Sequence, residues 1–196
     1  MSDIPKIGIT GLPNVGKTAT LLKIVEKLEQ DGFKVGGMIT QSVLENGKRV
    51  GFRMKDWRTK SEVLFAHRQF DTKHKVEMDD GIYCVDVPKL ESVGLPAVKG
   101  ATQDPEVDVI IIDEVGKMEM HSDAFCQAVK DALDSDKPVI MTLHKKSRNP
   151  LLQDIRRRDD VRILEVTPVN KNLLPYKIEK LLQEKLEGSS SYSGYF

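Results

Sequence analysis

Gly11-Leu12-Pro13-Asn14-Val15-Gly16-Lys17-Thr18 matches the pattern G-x-x-x-x-G-K-[ST], which is typical of a phosphate-binding loop. An apolar run at 4–10 precedes the loop, and an amphipathic pattern at 17–30 follows it. Glycines let the loop bend around an anion, so that its N–H groups and the helix N-terminus point at phosphate oxygens. The sequence therefore predicts a strand, a loop and a helix that bind a nucleoside triphosphate.

Two side chains at the end of this loop have predicted roles of their own. Lys17 is predicted to reach the terminal phosphates and to act in catalysis, and the Thr18 hydroxyl is predicted to hold Mg²⁺. Every residue of the loop is predicted to bind the nucleotide: Gly11, Leu12, Pro13, Asn14, Val15, Gly16, Lys17 and Thr18.

Two consecutive acids follow the apolar run at 107–112. Asp113 ends that predicted strand, and ligands of parallel sheets bind outside the carboxyl ends of the strands, so Asp113 is predicted to hold Mg²⁺ together with Thr18. Alternation of faces relaxes at a strand exit, so Glu114 can also face the nucleotide. Glu114 is the predicted catalytic acid that orients or deprotonates the attacking water, and a solvated loop acid is the alternative.

Four residues near these acids are candidates for contacts with the γ-phosphate. Gly116 is predicted to allow close backbone approach, and Lys117 is a candidate cation. Thr142 and His144 follow the next predicted strand to the same sheet edge, where they are candidate phosphate sensors. A surface lysine, a capping threonine and a surface histidine are the alternatives.

Composition excludes some classes of partner. The chain has 196 residues, enough for one sizeable α/β core, and its 30 basic residues equal its 30 acidic residues. A net charge of zero does not favour nucleic acid or an acidic membrane. The one feature that could bind nucleic acid is the group of basic residues at 145–158, and the alternative is that they form a solvated helix face. The oligomeric state does not follow from the sequence.

Localisation is predicted to be cytoplasmic. Cys84 and Cys126 show no metal or CxxC spacing and are predicted to be buried free thiols in a reducing compartment. The N-terminus shows no cleavable leader, and no apolar run is long enough to span a membrane.

Strands and helices alternate along the chain, which predicts a mostly parallel central sheet with helices on both faces. Asn46-Gly47 predicts a hairpin turn, and Trp57 is predicted to lie in the core, with stacking on a base as the alternative. The segment 61–67 fits a short helix or a strand, and 69–80 is predicted to be an exposed connection. Predicted strands are 4–10, 33–40, 49–54, 81–87, 107–112, 138–143 and 161–166; predicted helices are 17–30, 88–103 with a break at 94–96, a Ser122-capped helix over 124–133, 149–158 and 175–187, ended by Gly188.

Four segments resemble one family, the thermophile-type nucleoside triphosphatases, whose human relative is called cancer-related nucleoside triphosphatase. They are the loop at 11–18, ENGKRVGFRMKD at 45–56, VIIIDEVGKMEM at 109–120 and KPVIMTLHKKS at 137–147. The resemblance spans residues 4 to about 183. The two middle segments are far more specific than the phosphate-binding loop alone.

The resemblance implies an α/β fold of the RecA-like P-loop class and Mg²⁺-dependent hydrolysis of nucleoside triphosphates, slow and with loose base preference. It implies that 109–116, including Val115, lines the nucleotide. This chain departs from the family where Asn14 replaces a usual Gly. It also has the acidic segment 75–81 where the family tends to have R-V-G-K-Y. We predict one domain over 1–187 and a disordered tail over 188–196.

Two other enzyme classes share parts of this pattern. A switch-type GTPase fits 13–18 and the D-x-x-G at 113–116, but its guanine-reading N-K-x-D is matched here only by Asn170-Lys171-Asn172-Leu173, which lacks the Asp. A nucleoside or polynucleotide kinase needs an acceptor site and an arginine-bearing lid, for which 148–158 is a candidate. Phosphate release with and without acceptors separates these classes.

Overall fold

The computed structural model describes residues 4–190 and contains one mixed sheet with helices on both faces. The strand order is β5-β6-β4-β3-β2-β7-β8-β1-β9. The elements are β1 Lys6–Thr10, α1 Lys17–Gln30, β2 Val35–Glu45, β3 Lys48–Asp56, β4 Glu62–His67, β5 His74–Met78, β6 Gly81–Val85, α2 Val87–Gln103, β7 Val109–Val115, the 3-10 turn Glu119–His121, α3 Asp123–Asp134, β8 Val139–Leu143, α4 Pro150–Arg157, β9 Val161–Glu165 and α5 Leu174–Ser190.

Five strands, β2, β7, β8, β1 and β9, form the parallel half of the sheet. The central strands β7 and β8 are apolar along most of their length and almost entirely buried, as expected where helices cover both faces. Because parallel strands end at the same edge, the loop after β1 meets the ends of β7 and β8. This edge carries the predicted site.

The other half of the sheet is antiparallel, which corrects the prediction of a mostly parallel sheet. Strands β2 and β3 form a hairpin whose turn residues, Asn46 and Gly47, have φ values of 51° and 77°. Both angles are positive, as an Asn-Gly hairpin turn requires. The pairings of β3 with β4, β4 with β6 and β5 with β6 are antiparallel as well.

The segment predicted as an exposed connection contains a strand. Strand β5 pairs with β6 and buries Val76, so the prediction for 69–80 is wrong. The local sequence misses this strand because Val76 is its only fully buried residue and three of its other four residues are polar, as is common in a short edge strand. The segment 61–67 resolves as strand β4.

Apolar stripes hold the helices against the two faces of the sheet. Helices α1 and α5 pack on one face around Leu21, Ile24 and Ile178, and α2, α3 and α4 pack on the other around Phe125 and Leu152. The predicted placement of helices on both faces is confirmed. Cys84 and Cys126 are free thiols, buried and half-buried respectively.

Two predicted helix interruptions are wrong. Helix α2 continues through Pro96, and both Pro96 and Ser92, the residue whose carbonyl loses its helical partner, are exposed. Gly94 packs against Met54 and Phe125 on the buried side, which holds the helix together. Helix α5 continues past Gly188 to Ser190, and the remainder of the predicted tail, 191–196, lies outside the described residues. Within residues 4–190, no helix has the length and apolar character needed to cross a membrane.

Candidate active site

The loop between β1 and α1 has the backbone shape that a phosphate cradle needs. Gly16 has φ 105° and Asn14 has φ 64°, both in the left-handed region. Asn is among the few side chains that tolerate this region, which explains how it can stand where the family usually has Gly. A Cβ on Gly11 would lie 2.7 Å from Val15 Cγ1 and 2.9 Å from the Val166 carbonyl oxygen. Only glycine fits there without displacing the loop.

A bulge at the end of β7 turns both consecutive acids toward this loop. Ile112 pairs with Met141 and Val115 pairs with Leu143, so Asp113 and Glu114 together oppose the single residue Thr142. An extra residue in one strand breaks the alternation of faces. The sequence predicted that the alternation of faces relaxes at this strand exit, and the bulge is how it does so.

Asp113 is buried between two threonine hydroxyls. Thr18 Oγ1 lies 3.1 and 3.0 Å from the two carboxylate oxygens, and Thr142 Oγ1 donates to Oδ1 at 2.5 Å. Burial raises the pKa of Asp113 to about 6, although both hydroxyl donors favour the ionised form. Thr142 therefore supports the acid and does not line the cavity as a free phosphate sensor.

Lys17 and Glu114 form an ion pair at the mouth of the loop. Lys17 Nζ lies 3.7 Å from Glu114 Oε2 and donates to the Leu143 carbonyl at 3.4 Å. Burial raises the pKa of Glu114, and the nearby Lys17 charge opposes that rise. The cation and the acid predicted to act in catalysis are thus brought together at the point where the terminal phosphate of a bound nucleotide would lie.

Sequence reasoning missed a third acid, Glu119, which is only 4% exposed. Its Oε2 accepts the Gly116 backbone N–H at 3.1 Å. The pKa of Glu119 is raised to about 8, mainly by burial and to a smaller extent by the negative charge of Glu114. The only sequence signal was its spacing of five residues from Glu114, which does not distinguish a buried acid from a surface one.

The raised pKa of Glu119 predicts a pH-dependent stability that the variant Glu119→Gln lacks. The pKa of Glu119 is near 4.5 in the unfolded chain and about 8 in the folded protein. Between these two pH values, Glu119 is protonated in the folded protein and ionised in the unfolded chain. Stability therefore falls as pH rises through this window, by roughly 1 kcal/mol per pH unit from this group. Urea unfolding of nucleotide-free protein at pH 6 and pH 8 should show a smaller loss for Glu119→Gln than for wild type. Equal losses in both proteins would contradict the assignment of a protonated Glu119.

A cavity of about 770 Å³ joins the loop, the β7 acids and the β2–β3 hairpin. Of the predicted nucleotide-binding residues, three do not line it: Leu12 is exposed, Val15 packs on the core under α1, and Val115 is buried in the other core. The predicted residues that line it are Gly11, Pro13, Asn14, Gly16, Lys17, Thr18, Asp113, Glu114 and Gly116.

The predicted sensors other than Thr142 also line this cavity. Lys117 Nζ donates to the Glu77 carbonyl at 3.2 Å, which links the β7 loop to strand β5. His144 Nδ1 is buried without a hydrogen-bond partner among residues 4–190. The pKa of His144 is lowered, mainly by burial and to a smaller extent by the positive charge of Lys17. A neutral imidazole with a free ring nitrogen is therefore available at the cavity wall.

The basic residues at 145–158 have different surroundings: Lys145 and Lys146 line the cavity, whereas Arg156 and Arg158 are engaged within the protein. Arg156 donates to three backbone carbonyls, those of His144, Lys145 and Ser147, at 2.8–3.0 Å. Arg158 pairs with Asp134 and Asp160. Trp57 packs against the core under α1 and donates to Glu29 at 2.6 Å, so it does not line the cavity. The prediction that Trp57 belongs to the core is confirmed.

The oxygen pair formed by Thr18 and Asp113 fits Mg²⁺. This ion is usually held by one or two protein oxygens together with substrate phosphates and waters, so it does not need a cage of side chains. No group of three or more His, Cys, Asp or Glu residues suited to a metal occurs among residues 4–190. A cation at this position would also compensate the buried charge of Asp113.

Comparison with known proteins supports the motif-based assignment. The family model described as NTPase matches residues 6–179. The nucleoside-triphosphatase THEP1 of Thermoplasma volcanium is 39% identical over 178 residues, covering 91% of this chain and 97% of the relative. That of Methanocaldococcus jannaschii is 46% identical over 140 residues, covering 71% and 78% respectively.

Solved structures agree with this result. The crystal structure of THEP1 from the hyperthermophile Aquifex aeolicus superposes with a TM-score of 0.76 at 31% identity, covering 91% of this chain and 99% of that one. The solution structure of a human cancer-related nucleoside triphosphatase also gives 0.76, at 32% identity and with 92% and 98% covered. The chain therefore belongs to the thermophile-type nucleoside-triphosphatase family, as its four sequence segments predicted.

Proposed function

We propose that this chain hydrolyses nucleoside 5′-triphosphates to diphosphate and phosphate in a Mg²⁺-dependent reaction. The observation that carries the proposal is the 3.7 Å pair of Lys17 and Glu114, next to the contact between Thr18 and Asp113 in one cavity. A cation for the phosphates, an acid for water and an oxygen pair for the metal are the parts that phosphoanhydride hydrolysis needs.

Each protein group has a defined step. Lys17 and the loop N–H groups hold the β- and γ-phosphates, and Glu114 orients a water against the γ-phosphorus. As the new P–O bond forms, the bond from phosphorus to the β–γ bridging oxygen breaks, the diphosphate leaves with that electron pair, and the water proton passes to Glu114. Because burial raises the pKa of Glu114, it accepts a proton more readily than an exposed glutamate. Mg²⁺ held by Thr18 and Asp113 would neutralise developing charge on the phosphates.

Several finer statements belong to the same proposal. The RecA-like class is supported by the strand order, because β8 separates the phosphate-loop strand β1 from the acid-bearing strand β7. We also propose one domain over 1–187 and a cytoplasmic location. Nucleic acid is not required for the reaction.

Base preference is expected to be loose. Asn170, in the segment closest to a guanine-reading motif, already uses its side chain within a turn, accepting from Thr167 N at 2.7 Å and donating to the Glu165 carbonyl at 2.8 Å. Strong selection needs polar groups that a wrong base leaves unpaired, and the phosphate groups do not contact the base. We expect kcat/KM for ATP and GTP to agree within about tenfold, roughly 1.4 kcal/mol. A preference for GTP on the order of a hundredfold or more would contradict this and favour the switch-GTPase alternative.

Phosphate release from ATP, GTP, CTP and UTP tests the proposal directly. Release with Mg²⁺, abolished by EDTA and restored by added Mg²⁺, is the expected result. The assay is repeated with nucleosides and 5′-hydroxyl oligonucleotides as acceptors. Turnover that requires an acceptor, with little free phosphate in its absence, would overturn hydrolysis in favour of a kinase. The candidate lid residue Arg156 is engaged with three carbonyls, which does not support that alternative.

A further inference from the structure

The cavity also contains an arginine, on a wall that the phosphate-binding loop does not form. Arg49 lies near the start of strand β3 and lines the same cavity as Lys17 and Glu114. Its side chain is 28% exposed, and its guanidinium carbon lies 4.8 Å from the centre of the Phe52 ring. The guanidinium is therefore supported from below by an aromatic face and reaches toward the nucleotide space.

Asp80 holds this guanidinium along one edge only. Arg49 Nε and Nη2 donate to the two Asp80 oxygens, each at 2.9 Å, and Nε also lies 3.3 Å from the Tyr83 hydroxyl. Such a fork uses two of the three guanidinium nitrogens. The third, Nη1, has no hydrogen-bond or ion-pair partner among residues 4–190. The two N–H donors of Nη1, on a fixed and charged group, thus stay free for a ligand.

The acid that orients Arg49 is itself fixed. The hydroxyl of the fully buried Tyr83 donates to Asp80 at 2.7 Å, and Arg68 Nη2 donates to the Asp80 carbonyl at 2.6 Å and lies 3.3 Å from its carboxylate. Arg68 Nε also donates to the backbone carbonyl of Arg49 at 2.9 Å. The hydrogen bond from Arg49 holds the pKa of Asp80 down at about 2. The orienting charge is present throughout the neutral pH range.

Arg49 shares the cavity with the groups predicted to act in catalysis, Lys17 and Glu114. Burial raises the pKa of Glu114, and the positive charges of Lys17 and Arg49 oppose that rise. The cluster of Arg49, Arg68 and Asp80 carries a net positive charge. The acidic segment at 75–81 thus supplies the acid that aims a cation from another strand.

We propose that Arg49 donates through Nη1 to the γ-phosphate and stabilises the charge of the transition state, with Asp80, Tyr83 and Arg68 as positioning residues. This inference rests on the proposed function. Phosphoryl transfer gains most from fixed donors aimed at the charge that develops on the γ-phosphate oxygens, and an arginine fits that geometry. Because Arg49 belongs to the same chain, it acts without a partner protein.

The test compares Arg49→Ala with the matched control Arg53→Ala, an exposed arginine of the same strand that does not line the cavity. We expect kcat to fall by about 10² to 10³ in Arg49→Ala, as for loss of one transition-state donor. Affinity for ADP should change by less than about threefold, while affinity for ADP with aluminium fluoride falls in parallel with kcat. Added guanidinium ion should restore part of the lost kcat in Arg49→Ala, and it should leave kcat unchanged in Arg53→Ala.

Two outcomes overturn the assignment: kcat within about threefold of wild type, or a loss of ADP affinity as large as the loss of kcat/KM. Should Arg49→Ala not fold, Arg49→Lys carries the same test, because it keeps the charge and the aliphatic stem but loses the fork. Asp80→Asn should lower kcat by about tenfold at constant KM; an unchanged kcat would remove Asp80 from the positioning role. Absence of phosphate release by wild type would instead refute the proposed function itself.

Discussion

Replacement of Glu114 by glutamine is expected to lower kcat by about a hundredfold or more while Mg²⁺-nucleotide binding is retained. Gln is nearly isosteric and can still hydrogen-bond to water, but it cannot accept the proton that leaves during attack. Glu114 is the acid placed beside Lys17, at 3.7 Å, and the β7 bulge turns it into the cavity. Steady-state phosphate release measures kcat, and titration with a fluorescent ATP analogue measures nucleotide affinity.

Asp113→Asn provides the contrast within the same dipeptide. Since Asp113 contacts Thr18 and not Lys17, its loss should weaken Mg²⁺-dependent nucleotide binding and raise the Mg²⁺ concentration needed for half-maximal rate. A Glu114→Gln protein that hydrolyses ATP at the wild-type rate would refute the catalytic assignment.

Replacement of Lys17 by alanine is expected to abolish measurable hydrolysis and to weaken triphosphate binding strongly. The Lys17 side chain is only about 10% exposed, and its ammonium group lies near Glu114 and the Leu143 carbonyl in the cavity. A charge in so enclosed a position acts strongly on the β- and γ-phosphates, where the negative charge of the substrate is concentrated. Loss of affinity should be greater for ATP than for ADP, because the γ-phosphate loses a cation that is predicted to contact it.

Lys23→Ala is the matched control on the same helix. Lys23 is exposed and does not line the cavity, so this variant should retain wild-type kcat and KM. Isothermal titration with ATP and ADP, together with phosphate release, separates the two variants. Normal turnover by Lys17→Ala would remove the basis for treating the loop as a phosphate site.

The strongest predictions came from local patterns. The loop at 11–18, flanked by an apolar run and an amphipathic helix, predicted β1 and α1 because each element is specified by its own periodicity. The apolar run that ends at Asp113 predicted a central strand with its acid at the correct edge. Family membership followed from longer motifs, and the comparisons confirmed it.

Local patterns failed where partners are distant in sequence. Strand β5 has one buried side chain and is a strand only because β6 pairs with it. Helix α2 survives Pro96 because Gly94 packs on Met54 and Phe125, contacts that no helix propensity contains. In both cases tertiary packing outweighs a weak or contrary local preference.

Some features of the site could be predicted from short sequence motifs, and others depend on tertiary packing. The sequence by itself determined the phosphate loop, the two consecutive acids and their shared sheet edge, because these depend on short-range motif chemistry and on the direction of parallel strands. Only the tertiary structure decided that Thr142 supports Asp113, that Glu119 is buried, and that Arg49 reaches the cavity under the control of Asp80. Arg49 and Asp80 are 31 residues apart, and their meeting depends on the antiparallel pairing of the four strands β3, β4, β6 and β5. Burial and charge pairing of this kind are properties of the packed fold, so no pattern within one segment can encode them.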